Sequence, residues 1–166
     1  MNKIHINKSQ FSDLINLRNN VFFPLKNFVS KKEFVQIIDN KKYKNQFFPL
    51  PITFGITKKN YLKLKMKKSF DLYYKNKYLI NIYNVNFYNL NKKKLSKRIY
   101  GINYLKHPYY KKFINENYRF MHFDFQKQSK INLRHKHFLS PSLFKKKLKI
   151  HKISTLSSFH TRNVPH

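Results

Sequence analysis

Residues 69–85 have the sequence SFDLYYKNKYLINIYNV, in which two apolar and aromatic runs flank a short polar break. The second run, residues 79–85, alternates apolar and polar side chains with the period of two that is typical of a half-buried strand. Residues 69–74 and 78–85 can pair about the break at 75–77. The stretch therefore predicts a β-hairpin within a small, mostly antiparallel barrel, although the turn lacks the glycine that tight hairpins prefer.

Helices and another strand are predicted upstream of this hairpin. Residues 9–18 carry a helical apolar stripe, with Ser9 or Ser12 as the cap. Ser30 and Glu33 form a capping-box pattern that begins a second helix, which runs to about residue 39. Residues 52–56 follow two prolines and predict a strand.

Downstream of the hairpin, the pattern again mixes helices and strands. Residues 111–117 predict a short helix, and residues 119–125 alternate in the manner of a strand. A serine followed by Pro141 is a good helix start. The inner face of that helix is expected to consist of Leu143, Phe144, Leu148 and Ile150. Residues 153–159 then predict a buried strand.

The composition is extremely basic. The 166 residues carry 36 Lys+Arg against 6 Asp+Glu, a formal charge of +30. Such a charge is typical of proteins that bind nucleic acid or anionic membranes. However, Lys outnumbers Arg by 31 to 5, Ala is absent and there are only 2 Gly, so strong A+T bias in the genome would explain much of it. The charge alone therefore does not decide the function.

Other compositional features limit the class of protein. There is no Cys, which excludes disulfides and thiolate metal sites. The aromatic fraction of 17% is ample for a core. No apolar run approaches the ~18 residues of a membrane span. With no signal-peptide pattern at the N-terminus, we expect a cytoplasmic protein, or one from the interior of an organelle or endosymbiont.

Polar side chains concentrate in the last stretch, residues 159–166 (FHTRNVPH), directly after the predicted buried strand. In open α/β sheets, ligands bind where a strand ends before a helix. An arginine there offers a planar fork for two oxyanion oxygens, and a carboxamide and a hydroxyl add neutral hydrogen bonds. The candidate site residues are His160, Thr161, Arg162, Asn163 and His166. By contrast, His135 and His137 have no third ligand nearby, so no metal site is predicted.

This stretch resembles the signature of ATP sulfurylase (sulfate adenylyltransferase), aromatic-Gln-Thr-Arg-Asn-Pro-x-His-x-x-His. The aromatic residue, Thr, Arg, Asn and the first His match, whereas His160 stands at the Gln position and Val164-Pro165 replaces Pro-x. The second His of the signature would fall three residues beyond position 166. The chain thus resembles the entrance to an active site whose second half is missing.

Three earlier segments resemble the same family, in the same order. Residues 21–28 (VFFPLKNF) are similar to its Phe-Ser-Pro-Leu and following Gly-Phe, so we expect buried aromatics around the proline and a left-handed Asn27 in place of Gly. Residues 47–56 (FFPLPITFGI) are similar to its Trp-Pro-Ile-Pro-Val-Thr-Leu. Residues 101–108 (GINYLKHP) keep the Gly and His-Pro of its Gly-Thr-x-Asp-x-x-His-Pro; we expect His107 to be a structural hydrogen-bonding residue.

The resemblance implies an α+β chain with two parts. Residues 1–138 would be a PUA-like β-barrel domain with flanking helices, and residues 139–166 would be the first helix and strand of a truncated Rossmann-like α/β nucleotidyltransferase domain. The implied reaction converts MgATP and sulfate to adenosine 5′-phosphosulfate and pyrophosphate. No bound metal or prosthetic group is expected.

The resemblance also implies roles for the candidate residues. Thr161, Arg162 and Asn163 would be catalytic; Arg162 and His160 would bind sulfate, and Arg162, Asn163 and His166 would contact ATP. The 166 residues alone are expected to be inactive, because the later phosphate-binding loops are not in this sequence. Two alternatives stay open: a basic PUA-like RNA-binding module, and a truncated remnant without function. Homo-oligomerisation, fusion to an adenylylsulfate kinase and the direction of the reaction also stay open.

Overall fold

The computed structural model describes residues 3–116, 118–126 and 139–157. By its contacts the chain divides into two compact units, Met1–Asn132 and Leu133–His166. Among the described residues, the strands and most of the helices belong to the first unit, and one helix belongs to the second.

The secondary structure mixes short helices with short strands, except for one long central strand. In chain order the elements are β1 (Lys3–His5), α1 (Lys8–Arg18), α2 (Lys31–Asn40), β2 (Lys42–Tyr43), β3 (Gln46–Phe47), β4 (Phe54–Ile56), α3 (Lys58–Leu64), β5 (Phe70–Tyr74), β6 (Lys77–Tyr88), α4 (Lys92–Tyr100), a 3₁₀ turn (Tyr104–Lys106), α5 (Tyr110–Asn115), β7 (Arg119–Phe125) and α6 (Pro141–Ile150). Strands β2 and β3 form a small separate ribbon.

The first unit is built on a five-stranded sheet with the strand order β1-β5-β6-β7-β4. Every neighbouring pair is antiparallel except β1 and β5, which are parallel. The sheet curls into a half-barrel with β1 and β4 as its edges, rather than closing on itself as a complete barrel does. This confirms the mixed α and β, mostly antiparallel fold predicted for the first part of the chain.

The predicted hairpin is present as β5 and β6. Phe70 pairs with Ile82, and Tyr74 pairs with Lys77, so the loop contains only residues 75 and 76. Both loop residues have positive φ, 48° and 61°, as a type I′ turn requires. The turn is therefore one residue shorter than the sequence suggested, because Lys77 already belongs to β6.

The four largest fully buried side chains of the described core are phenylalanines. Phe28, Phe54 and Phe123 are fully buried and form a triangle, with ring centroids 5.2 to 5.3 Å apart. Such edge-to-face and tilted pairs are favourable beyond the burial of their area. The buried faces of α1 and α2 complete the core; they contribute Leu14, Ile15, Leu17, Phe34, Ile37 and Ile38.

Several local predictions need correction. Helix α1 is capped by Asn7, whose side chain accepts from the Gln10 N–H, and not by Ser9 or Ser12. Phe23 is 65% exposed, so not every aromatic beside Pro24 is buried. Asn27 does not have positive φ; its side chain instead reaches the sheet. Strand β4 begins at Phe54, two residues later than predicted.

The predictions for the second unit have a mixed outcome. Ser140 caps α6, and Pro141 is its first residue, as expected. None of the residues of α6 is buried, and Leu143 and Ile150 are 54% and 64% exposed, so its apolar face has no covering layer among the described residues. Residues 153–157 are exposed and form neither helix nor strand. The buried strand predicted from Ile153 is thus not seen there, because no described strand pairs with it.

In the described parts of the chain, none of the helices combines the length and the apolar character that crossing a bilayer demands.

Candidate functional site

The active-site residues suggested by the last stretch of sequence fall outside the described residues. These are His160, Thr161, Arg162, Asn163 and His166. The basic stretch with His135 and His137 also lies outside them. The described residues instead show how the earlier family-like segments are arranged, and they show one groove that the sequence did not suggest.

Two of the family-like segments, residues 21–28 and 47–56, meet over the sheet. The Val29 N–H, directly after the first segment, donates to the Ile52 carbonyl oxygen at 2.9 Å. Beside this bond, the rings of Phe28 and Phe54 pack edge to face at 5.2 Å. The two segments therefore form one unit, although about twenty residues separate them in sequence.

Polar side chains on strand β7 fasten the first segment to the sheet. His122 Nδ1 lies 2.7 Å from the Phe28 carbonyl oxygen, which can only accept, so this nitrogen carries the proton. Asp124 accepts from the Asn27 amide at 3.0 Å and from the Asn84 amide at 2.9 Å. Because these groups satisfy one another, the cluster is a structural joint rather than a reactive centre.

Glu33, at the start of α2, is the centre of a second polar cluster. It accepts from the Ser30 N–H, the Ser30 hydroxyl and the Tyr43 hydroxyl, each at 2.8 Å. Burial opposes ionisation, but these hydrogen bonds and the nearby His122 outweigh it and hold the pKa of Glu33 below its usual value. Burial and the bond to Glu33 raise the pKa of Tyr43 to about 12. The capping box predicted from the sequence is present, with a tyrosine added to it.

His107 occupies the structural position expected from its sequence context. Its Nδ1 accepts from the Tyr109 N–H at 3.3 Å, and its ring stacks on Tyr100 at 4.3 Å. Gly101 ends α4 with a φ of +80°, a conformation that side-chain-bearing residues rarely adopt. This family-like segment thus ends a helix, and its histidine has a structural role rather than that of a ligand.

A basic groove of about 790 Å³ opens where α3 begins, β6 leads into α4 and α5 leads into β7. We call it the lysine groove. Its lining contains three lysines and no acidic residue. The lining residues are Thr57, Lys58, Asn89, Leu90, Asn91, Lys92, Lys93, Ile114, Asn115 and Tyr118.

Lys92 is the most constrained lysine of the groove. Its Nζ donates to the Ile114 carbonyl oxygen at 3.0 Å and to the Glu116 carbonyl oxygen, and so it caps the C-terminal end of α5. Burial lowers its pKa, while the negative charge of Glu116 acts in the opposite direction. At the rim, the Arg119 guanidinium stacks over the Tyr118 ring at 4.3 Å.

No sequence pattern indicates this groove. The three segments that form it lie about twenty to thirty residues apart, and they come together only through the order of strands in the sheet. The one available signal was the cluster of lysines at 92–94, which in a chain with 31 lysines is not distinctive.

The curled, mostly antiparallel sheet with its flanking helices fits the PUA-like class of domains. The sequence profile of the PUA-like domain family matches residues 1–121, and the chain belongs to this family. A comparison with curated protein sequences gave no significant match.

Proposed function

We propose that this chain is the PUA-like N-terminal portion of a sulfate adenylyltransferase, together with the first residues of its catalytic domain. The observation that carries the proposal is the contact between residues 21–28 and 47–56, two family-like segments of the first unit. The family resemblance places both segments in one domain, and their packing against each other supports it. The membership in the PUA-like family agrees with this proposal.

The proposed reaction joins sulfate to the adenylyl group of MgATP and releases pyrophosphate. A sulfate oxygen attacks the alpha phosphorus directly, so no protein nucleophile is needed, and catalysis consists of positioning and charge stabilisation. In this proposal Arg162 binds sulfate through its planar fork, and Thr161 and Asn163 provide neutral hydrogen bonds. His160 takes the position of the family's glutamine and donates one hydrogen bond to sulfate. His166 approaches the ATP phosphates, with Arg162 and Asn163 beside it.

The first unit would serve this chemistry as a support. Its core triangle and the joint at Asp124 hold the family-like segments without offering a reactive group. The proposed reaction also needs the phosphate-binding loops of a catalytic domain, so the 166 residues tested by themselves are expected to release no pyrophosphate.

The test compares two proteins in a pyrophosphate-release assay with ATP and sulfate. One is the 166-residue chain, and the other is the same chain extended by the reading frame that follows codon 166. We expect activity only in the extended protein, and a loss of about 100-fold or more in Arg162→Ala. Arg98→Ala, which removes the same side chain from a surface ion pair with Asp39, is the matched control and should keep its activity.

Two results would contradict the proposal. An extended protein that folds but releases no pyrophosphate would refute the enzyme assignment, as would a reading frame that stops at once after codon 166. Release by the 166-residue chain alone, abolished by Arg162→Ala, would show that the chain needs no further domain.

A second candidate function is RNA binding, which the charge of +30 favours. Binding that neutralises several phosphates weakens by about 0.7 to 0.9 log units per contact for each tenfold rise in salt. A steeper slope and tighter binding for RNA than for heparin would support this candidate. Equal slopes for the two polyanions would indicate nonspecific attraction.

A further inference from the structure

The lysine groove has the volume of a small-ligand site, although it is open to solvent. Its volume of about 790 Å³ lies within the range of about 300 to 1,000 Å³ that is usual for ligand pockets. Three separate segments of the chain form its walls, and the sheet that carries them is fixed by the hairpin β5–β6 and by β7. The groove is therefore an open depression that three parts of the chain shape together.

Two of its lysines carry charge that the described residues do not neutralise. Lys58 is the first residue of α3 and Lys93 is the second residue of α4. Within residues 3–116, 118–126 and 139–157, neither has an ion pair or a side-chain hydrogen bond. The negative charge of Glu116 interacts with the ammonium group of Lys92. The positive charges that are not compensated in this way are therefore those of Lys58 and Lys93.

The rest of the lining supplies neutral donors between these charges. Asn89 and Asn115 have exposed amides at the groove. Asn91 uses its side-chain oxygen to accept from the Lys94 N–H at 3.1 Å, which leaves its amide nitrogen available as a donor. Ammonium groups flanked by amide donors suit an anion with several oxygens, because every oxygen can accept a hydrogen bond.

We infer that the lysine groove binds a small ligand with adjacent phosphate groups. Two separate ammonium groups in one cavity match an oligophosphate better than a single compact anion, because each can contact a different phosphate. An extended single strand of RNA fits less well. Such strands are bound along a groove with successive aromatic rings, whereas this groove has one ring, Tyr118, with Arg119 already stacked on it. The inference is independent of the proposed sulfate adenylyltransferase activity, whose residues lie elsewhere in the chain.

The experiment measures the binding of tripolyphosphate, of ATP and of a ten-nucleotide oligouridine to the purified 166-residue chain at one fixed salt concentration. We expect saturable binding of tripolyphosphate that weakens about tenfold or more in the double variant Lys58→Ala/Lys93→Ala. The matched control is Lys31→Ala/Lys32→Ala, which removes two exposed lysines from the same first-turn positions of α2, outside the groove. It loses the same charge and should bind as the unmodified chain does.

A measurement on the unmodified chain keeps the test decisive if the groove variant does not fold. Acetylation of lysines with and without tripolyphosphate, followed by mass spectrometry, should show protection of Lys58 and Lys93 but not of Lys31 and Lys32. Equal loss of binding in both double variants, or equal protection of all four lysines, would overturn the inference. Binding of oligouridine without binding of tripolyphosphate would also overturn it, and would favour the RNA candidate.

Discussion

Tyr88 offers a clean test of how the family-like segment is held to the sheet. Its hydroxyl donates to the Val29 carbonyl oxygen at 2.8 Å, and Val29 is fully buried. Its ring stacks on Phe120 at 5.7 Å, a contact that phenylalanine would keep. Burial, with a smaller effect of Glu33, raises the pKa of Tyr88, so the hydroxyl stays protonated and remains a donor near neutral pH. The substitution Tyr88→Phe thus removes one hydrogen bond with little change in packing.

The expected magnitude follows from the acceptor that is left behind. A typical hydrogen bond contributes about 0.5 to 1.5 kcal/mol, but a buried acceptor left without a partner costs about 1 to 3 kcal/mol. Because Val29 has no contact with solvent, the upper range applies. We therefore expect Tyr88→Phe to lower the free energy of unfolding by about 1.5 to 3 kcal/mol, a large part of the stability of a small domain.

Urea unfolding followed by circular dichroism measures this change, provided that the slope of the transition stays constant. The matched control is Tyr78→Phe, since Tyr78 is 54% exposed and has no hydrogen-bonding partner among the described residues. It should change the free energy of unfolding by less than about 0.5 kcal/mol. If Tyr88→Phe changed the free energy of unfolding as little as this control does, the segment that ends at Val29 would not depend on the Tyr88 hydrogen bond. Our account of how this segment is held to the sheet would then be wrong.

Two further predictions concern the hairpin turn and the acid stability. Placing Asn-Gly at residues 75 and 76 should raise the free energy of unfolding by about 0.5 to 1 kcal/mol, because both positions have positive φ. The control Asn60→Gly, within α3, should lower the free energy of unfolding. If both changes shifted it in the same direction, the turn assignment would be contradicted. The pKa of Glu33 is lowered in the folded state, so its contribution to stability is present above about pH 4.5 and is lost as the pH falls through the folded pKa. Urea midpoints from pH 7 to 3 should therefore fall more for the unmodified chain than for Glu33→Gln, and parallel curves would refute this role.

The elements that could be predicted from the sequence are those set by local patterns. Strand β7 matches the predicted residues 119–125, and its buried and half-buried side chains alternate from Met121 to Phe125. The capping box at Ser30 was also found, since both of its partners lie within four residues. Pro141 marks the start of α6 for reasons of backbone geometry alone.

The wrong or missing predictions share a physical cause: the residues concerned have competing or distant hydrogen-bonding and packing partners. Asn7, not a serine, caps α1, because several polar residues in succession could each take that role. Asn27 matched a glycine position, yet its amide bonds Asp124, which lies 97 residues away in sequence. The lysine groove could not be predicted at all, since its walls meet only through the strand order. The candidate residues His160, Thr161, Arg162, Asn163 and His166 remain a prediction.

The shortage of glycine affects the backbone conformation of the turns, and it also affects how the high positive charge should be interpreted. The chain has only 2 glycines, and eight of the nine positive-φ positions among the described residues are occupied by other residue types. These are Asn20, Lys41, Lys44, Asn45, Lys75, Asn76, Asn84 and Lys152. Asparagine tolerates this conformation, whereas lysine has no special aptitude for it. Lysine thus occupies positions that its chemistry does not favour, which agrees with a composition set partly by mutation pressure. A lysine in this protein therefore indicates function only where the fold groups it with other polar side chains in one groove. Lys31 and Lys32 lie outside the lysine groove, and this is why they are the proper controls for Lys58 and Lys93.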